Sequence, residues 1–248
     1  MQDQFEATYH AVEERHWWFV GRRALVRQLV RGSAASRSAR ILEIGCSGGP
    51  LLRQLRSDGY EDLTGIDISE DAIALCKKRG VPNVHVMDAQ HLAYPESSFD
   101  LITASDVLEH VADAPQALRE WHRTLRPGGV LLVFVPAFMF LWSEHDVANL
   151  HQHRYRASEL SAMLQAAGFR VERRGYWNFL LFAPAALVRL VKNRLQRPGA
   201  AAAQGDLKAT SYPLNMLLQL VLKLENRMLL AGLDFPWGIS AWAVARKS

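Results

Sequence analysis

Three observations predict an α/β fold built on a doubly wound, mainly parallel sheet. Short apolar runs alternate with helical patterns over residues 40–135, a small-residue turn follows the first run, and acidic residues end the next two. Strand, helix, strand at this spacing calls for crossover helices covering both faces of a parallel sheet. The 248 residues suffice for one large domain or two small ones. A composition of 49% hydrophobic and 22% charged residues excludes wholesale disorder and fibrous repeats.

Taken in order, residues 1–36 read as an N-terminal helical cap. From Arg15 to Arg40 there are seven arginines and no acid, within a chain of net charge +4. Such a stripe suits phosphates or acidic surfaces, and equally a solvated helix face. The expected strands are Arg40–Ile44, Leu63–Ile66, Val84–Met87, Asp100–Ala104 and Val130–Val135. Helical patterns fall between them at Leu51–Ser57, Ser69–Lys78 and Ala114–Leu125. Ser69 is a good N-cap, with Glu70 and Asp71 in the first turn. Pro127-Gly128-Gly129 reads as the turn that stops one helix and launches the next strand.

Beyond that point a helix is expected at Ser158–Ala167, a strand at Phe169–Gly175 and a last strand at Gly238–Lys247. About sixty residues separate these two strands, too many for a plain connection. The domain reading is therefore a core over 37–175 and 236–248, with a helical insert over 176–235 and a flexible loop near 196–210. Leu214, Leu217, Leu218, Val221, Leu224 and Met228 follow helical spacing and are expected to face the core. Trp177–Val191 is apolar and is followed by Lys192, Arg194 and Arg197, a pattern that fits a membrane interface, a pocket wall, a helical pair closing on itself or a dimer face.

Two cysteines, Cys46 and Cys76, cannot build a disulfide framework, which points to a reduced, cytoplasmic setting. Neither a signal-peptide pattern nor an uninterrupted apolar run of about 18 residues is visible.

The informative segment is Ile41-Leu-Glu-Ile-Gly-Cys-Ser-Gly-Gly-Pro-Leu-Leu52. Glycines after a first strand let a ligand approach the backbone closely. A dinucleotide fingerprint would need glycine at 45, 47 and 50, where Gly45, Ser47 and Pro50 stand, so a pyrophosphate cradle is not expected. Asp67 follows Gly45 by 22 residues, at the end of the second strand, where a carboxylate accepts from ribose hydroxyls. Asp88 ends the third strand and can accept from an adenine amino group, while Glu43 can hold an ammonium or orient the turn.

Glu43–Gly49, Gly65-Ile-Asp67, Asp88-Ala89, Phe99–Val111 and Leu125–Leu132 together resemble the motifs of class I S-adenosylmethionine-dependent methyltransferases, with Ser47 and Gly48 swapped relative to the commoner order. His16-Trp-Trp-Phe-Val-Gly-Arg-Arg23, Ser143–Asp146 and His151–Tyr155 resemble a bacterial subgroup of the type 11/23 methyltransferase-domain proteins. The resemblance implies a Rossmann-like sheet of seven strands ordered 3-2-1-4-5-7-6 with strand 7 antiparallel, in agreement with a last strand after the insert. It implies S-adenosyl-L-methionine as cofactor and S-adenosyl-L-homocysteine as product. The residues expected to hold it are Glu43, Gly45, Cys46, Gly49, Asp67, Ile68, Asp88, Ala89 and Ser105, with Trp17 and Arg22 from the N-terminal helix.

Methyl transfer from a sulfonium needs alignment, exclusion of water and sometimes a base. His145 and His151 lie after the fifth strand, at the end of the sheet where substrates meet a cofactor, and are the expected bases. Arg154, Tyr155 and His110 are expected to bind the acceptor. Asp106, Glu109 and His110 are similar to a metal-binding cluster of the ubiquinone-pathway O-methyltransferases, but are read here as a helix-start network, with no metal expected. The leading function is methylation, at oxygen or nitrogen, of a small-molecule or lipid- or glycan-linked acceptor. The alternatives are a nucleic-acid methyltransferase and a non-catalytic cofactor-binding module. No RNA-binding module is recognisable, so nucleic acid is not expected as a partner. Peripheral membrane contact through 176–197 and a homodimer are both compatible with the insert.

Overall fold

Parallel pairing starts from the strand that carries the glycine turn. The computed structural model describes residues 12–33, 36–195 and 210–248. In it β1 (Ile41–Ile44) lies between β2 (Leu63–Asp67) and β4 (Phe99–Ser105), parallel to both. Outward from β2 comes β3 (Val84–Val86); outward from β4 come β5 (Leu125–Pro136), β7 (Ser240–Lys247) and β6 (Phe169–Trp177). The order is β3-β2-β1-β4-β5-β7-β6, and β7 runs antiparallel to both its neighbours. The expected topology is thus observed.

Strand side chains alternate between two cores, one on each face of the sheet. Leu42, Ile44, Leu131 and Val133 face a core that includes Trp121 of α4 (Ala114–Thr124) and Leu160 of α6 (Ala157–Ala166). Ile41, Leu132 and Phe134 face the other, with Leu25 and Val26 of α1 (Trp17–Ser33), Leu52 of α2 (Pro50–Ser57) and Ile73 of α3 (Glu70–Lys78). Ser69 caps α3 by accepting from Ala72 N at 3.1 Å. Pro127-Gly128-Gly129, expected as a turn before the strand, is a bulge within β5. Phe99 pairs with Leu125 and Leu101 with Val130, so a step of two residues on β4 answers one of five on β5.

The basic stripe is largely used internally. Arg27 and Arg31 pair with Asp58, Arg22 with Asp106, and Arg40 with Asp100, while Arg23 donates to the carbonyls of Glu13 and Glu14.

The two helices of the insert pack against different parts of the molecule. Its second helix, α8 (Tyr212–Leu230), docks on α1: Asn226 Nδ2 donates to Gly21 O at 2.9 Å, and Trp17 N donates to Asn215 Oδ1 at 2.8 Å. A Cβ on Gly21 would lie 2.4 Å from Leu222 Cδ1, so only glycine admits this approach. The buried face of α8 is Leu222, Glu225, Asn226 and Leu229. Leu214, Leu217 and Leu224, expected in the core, are exposed instead. The helix is apolar nearly all round, so periodicity did not decide which side faced inward; the polar Glu225 and Asn226 did, through their partners. Glu225 accepts from the backbone N–H groups of Asn178, Phe179 and Leu180 where the chain leaves β6. The first insert helix, α7 (Phe182–Leu195), lies beside the short turn Met139–Leu141. No helix among the described residues is long and apolar enough to cross a membrane. The expected loop near 196–210 and the first residues of the cap lie outside the described residues, apart from residue 210.

Leu222→Ala empties the contact between α8 and α1 and is expected to cost about 2–5 kcal/mol, read by urea unfolding.

Candidate active site

A cavity of about 820 Å³ opens at the carboxyl ends of the strands, where the sheet order reverses between β1 and β4. Open parallel sheets bind ligands at this switch point, and small-molecule sites run to roughly 300–1,000 Å³. Its walls come from the turn after β1, the tips of β2 and β4, the loops after β3 and β5, and the cap helix α1.

One end is acidic. Asp67 Oδ2 accepts from Ser47 N at 2.9 Å and its Oδ1 from Ser69 N at 3.0 Å, so this carboxylate holds the glycine turn against β2. Gly45 has φ +72°, and a Cβ there would lie 2.4 Å from Val107 Cγ2. Ile68 is 75% exposed although apolar, and it lies in the cavity wall. Asp88 accepts from Gln90 N at 2.8 Å. Burial alone would raise its pKa, but the bonds from Gln90 and His91 hold it below the usual carboxylate range. Ala89, Ser105, Trp17, His16 and Trp18 also line the cavity. The Ser105 hydroxyl is buried with no hydrogen-bond partner among the described residues.

Four residues expected to touch a cofactor lie behind the cavity wall. Cys46 is 1% exposed and turns toward Cys76, with the sulfurs 3.9 Å apart. Gly49 starts α2 in the left-handed region, φ +76°, against Cys76. Glu43 lies beneath the turn with Oε2 buried and unpartnered; burial, then the charge of Glu13, pushes its pKa well up. Arg22, expected to meet a carboxylate on the ligand, is committed to the protein. Its Nη1 donates to Asp106 Oδ2 at 3.1 Å and its Nη2 to Ser240 Oγ at 2.6 Å.

The other end is rich in histidine. His110, His145 and His151 all line it. His110 and His145 pack edge to face on His151, and His151 pairs with a residue that sequence reasoning did not single out, the fully buried Asp146 of α5 (Glu144–Ala148). Asp146 Oδ1 is 2.8 Å from His151 Nδ1, and Arg154 donates to both oxygens, from Nε at 2.7 Å and Nη2 at 2.9 Å. Ser143 N donates to Oδ2 at 2.8 Å, completing a capping box. Ser143-x-x-Asp146 was the available signal, since that spacing marks a helix start. Burial alone would raise the Asp146 carboxyl, but the bonds from His151 and Arg154 hold it well below the usual range. An ionised Asp146 accepts from Nδ1–H and leaves His151 Nε2 as the acceptor nitrogen.

Arg154, expected to bind the acceptor, is held by Asp146 in the structure. It reaches the cavity wall, but its guanidinium is 2% exposed and spent on Asp146 and the Ala137 carbonyl. Tyr155 is corrected to the core, buried beside β5, with its hydroxyl donating to Leu108 O at 3.3 Å. His110 and His151 pack edge to face with centroids 4.7 Å apart. Desolvation by the cavity walls, then the charge of His151, pushes the His110 pKa down to about 4.

The expected helix-start network is split. Asp106 pairs with Arg22, whereas both carboxylate oxygens of Glu109 are buried without a partner among the described residues. Burial, then Asp106, raises the Glu109 pKa well above the usual range. Glu109, His110 and His151 offer ligand atoms within 4.8 Å of one another, the set among the described residues that could hold a metal ion.

A protein-family model described as methyltransferase domain matches residues 15–173. A protein of Mycolicibacterium smegmatis, named a probable S-adenosylmethionine-dependent methyltransferase, is 32% identical over 171 residues, covering 67% of this chain and 65% of that protein. A ubiquinone biosynthesis O-methyltransferase of Hydrogenovibrio crunogenus is 28% identical, covering 52% of this chain and 61% of its own length. The alignments thus span somewhat less than two thirds of these relatives. Among solved structures, an S-adenosylmethionine-dependent methyltransferase from Archaeoglobus fulgidus aligns over 96% of this chain and 99% of its own, with TM-score 0.59 and 20% identity. That likeness is one of fold.

Glu109 provides a test of the electrostatics. With its folded pKa raised, the folded state keeps a proton that the unfolded chain loses near about pH 4.3. Its contribution is full below that pH and is lost as pH rises toward the folded value. Glu109→Gln is expected to reduce the loss of stability between pH 5 and pH 8, and to be at least as stable as the parent at pH 8, by urea unfolding.

Proposed function

The chain belongs to the methyltransferase-domain family, and on that premise we propose that it moves a methyl group from S-adenosylmethionine to oxygen or nitrogen of a small-molecule or lipid- or glycan-pathway acceptor, with His151 as base. The observation that carries this reading is that one cavity joins the carboxylates Asp67 and Asp88 to the Asp146-backed His151.

Features of the acidic end support the fit of the cofactor. The exposed Ile68 and the Ser105 hydroxyl, unpartnered among the described residues, suit a ligand with an apolar ring and several polar groups. Asp67 would hold the ribose hydroxyls, because it stands at the tip of β2 in the cavity wall and a carboxylate oxygen accepts more than one hydrogen bond. Asp88 and Ala89 would meet the adenine edge, and Ile68 its face. When bound, S-adenosylmethionine supplies a methyl group already activated on a sulfonium.

The protein's own part is alignment, dryness and proton transfer. Trp17 and Trp18 bring indole rings to the cavity from α1 and exclude water there. His151 takes a proton at Nε2 from the acceptor's hydroxyl or amine as it attacks. Asp146 stabilises the imidazolium that forms, and Arg154 keeps Asp146 ionised and oriented. His110, pushed toward neutrality, adds a hydrogen-bonding ring beside it without a competing positive charge. The ubiquinone-pathway relative supports an acceptor of small-molecule or lipid type. The internal pairing of the arginine stripe supports this over a nucleic-acid acceptor.

Two substitutions test the reading. Asp67→Ala is expected to weaken S-adenosylmethionine binding at least about tenfold, through a loss on the order of 1.5–3 kcal/mol; calorimetry showing unchanged affinity would remove Asp67 from this role. His151→Ala is expected to lower kcat by roughly 10²–10⁴ with cofactor affinity unchanged, as for loss of a general base. A fall in affinity with kcat intact would assign His151 to binding instead.

A further inference from the structure

Helix α7 faces two ways. Ala185 and Arg189 line the cavity, and Arg189 Nη1 donates to Leu141 O at 3.1 Å, tying the helix to the Met139–Leu141 turn. On its outer side Pro184, Leu187, Val188 and Val191 recur at i, i+3, i+4 and i+7 and form one apolar stripe. Beside it stand Met139 and Phe140, whose ring is 6.4 Å from that of Phe182 in α7. The five large residues, Leu187, Val188, Val191, Met139 and Phe140, are between 45% and 63% exposed. An uncovered apolar patch on an element that also walls a cavity marks a surface for interaction.

Charge selects the partner. Two further cations of α7, Lys192 and Arg194, follow the stripe in the sequence, and no acid stands between Glu172 and Asp206. A two-fold contact between identical patches would bring these cations together. An anionic bilayer instead offers acyl chains to the stripe and phosphates to the cations. We propose that α7 and the Met139–Leu141 turn dock on an anionic lipid bilayer, so that the cavity wall formed by α7 lies at the membrane surface. This proposal stands on the surface itself and does not depend on the methyl-transfer reading.

The test is co-sedimentation of the full chain, without cofactor, with vesicles of phosphatidylcholine alone or mixed with phosphatidylglycerol. Binding is expected to be at least about tenfold tighter to the anionic vesicles and to weaken with added salt. Leu187→Glu with Val191→Glu, at exposed positions, is expected to weaken it about tenfold while S-adenosylmethionine affinity stays at the parent value. Lys192→Glu with Arg194→Glu tests the charges separately and is expected to remove the preference for anionic lipid. No binding to either vesicle, or unchanged binding by both double variants, would overturn the proposal. So would a dimer in sedimentation equilibrium that Leu187→Glu with Val191→Glu dissociates, since a second copy would then be the occupant. Cofactor affinity reads the proposed function and vesicle binding reads this surface, so failure of one is distinguishable from failure of the other.

Discussion

A single buried guanidinium ties the cap to the sheet. Arg22 leaves α1 and reaches Asp106 at the tip of β4 and Ser240 at the start of β7. Its flat faces lie near Phe134 of β5, with the guanidinium carbon 4.8 Å from the ring centroid, and Trp177 of β6, at 4.4 Å. Arginine suits this position because its planar fork donates in the plane while its faces stack on rings. Asp106 has φ +56°, a strained conformation for a residue with a Cβ, and its pairing with Arg22 helps to hold it there. An unpaired guanidinium in this setting would be strongly unfavourable, so cap and sheet edge are coupled.

That coupling explains how one cavity acquires two chemically different ends. In a parallel sheet the strand tips point the same way, so Asp67, the Asp88 loop and the β4 tip share one rim. The histidines come from the turn after β4 and the segment after β5, folded back over that rim by the Asp146–Arg154 pair. A carboxylate exposed to the cavity at one end and another sealed behind an imidazole at the other thus serve opposite purposes. Asp67 faces the cavity from the tip of β2, whereas Asp146 is paired with His151 and Arg154.

The insert is also divided between two tasks. Helix α8 presents Glu225 and Asn226 to groups on β6 and α1 and joins the cap. Helix α7 lies on the opposite task, walling the cavity and leaving an apolar stripe uncovered. Segments adjacent in sequence therefore join different parts of the molecule, because each follows the partners of its polar or aromatic residues more than its own hydrophobicity.

Local pattern was enough for the strand and helix order, the glycine turn, and the placement of Asp67 and Asp88 at the rim. These depend on periodicity and on strand ends, both of which are written within a few residues of sequence. The tertiary structure decided what each long polar side chain met. It turned Arg22 and Arg154 inward to acids far along the chain, put the Tyr155 hydroxyl on Leu108, hid Cys46 behind the turn, and made Asp146 the partner of His151. Spacing along one element says which side a residue is on, but an ion pair needs two elements brought together, and only the packed sheet does that.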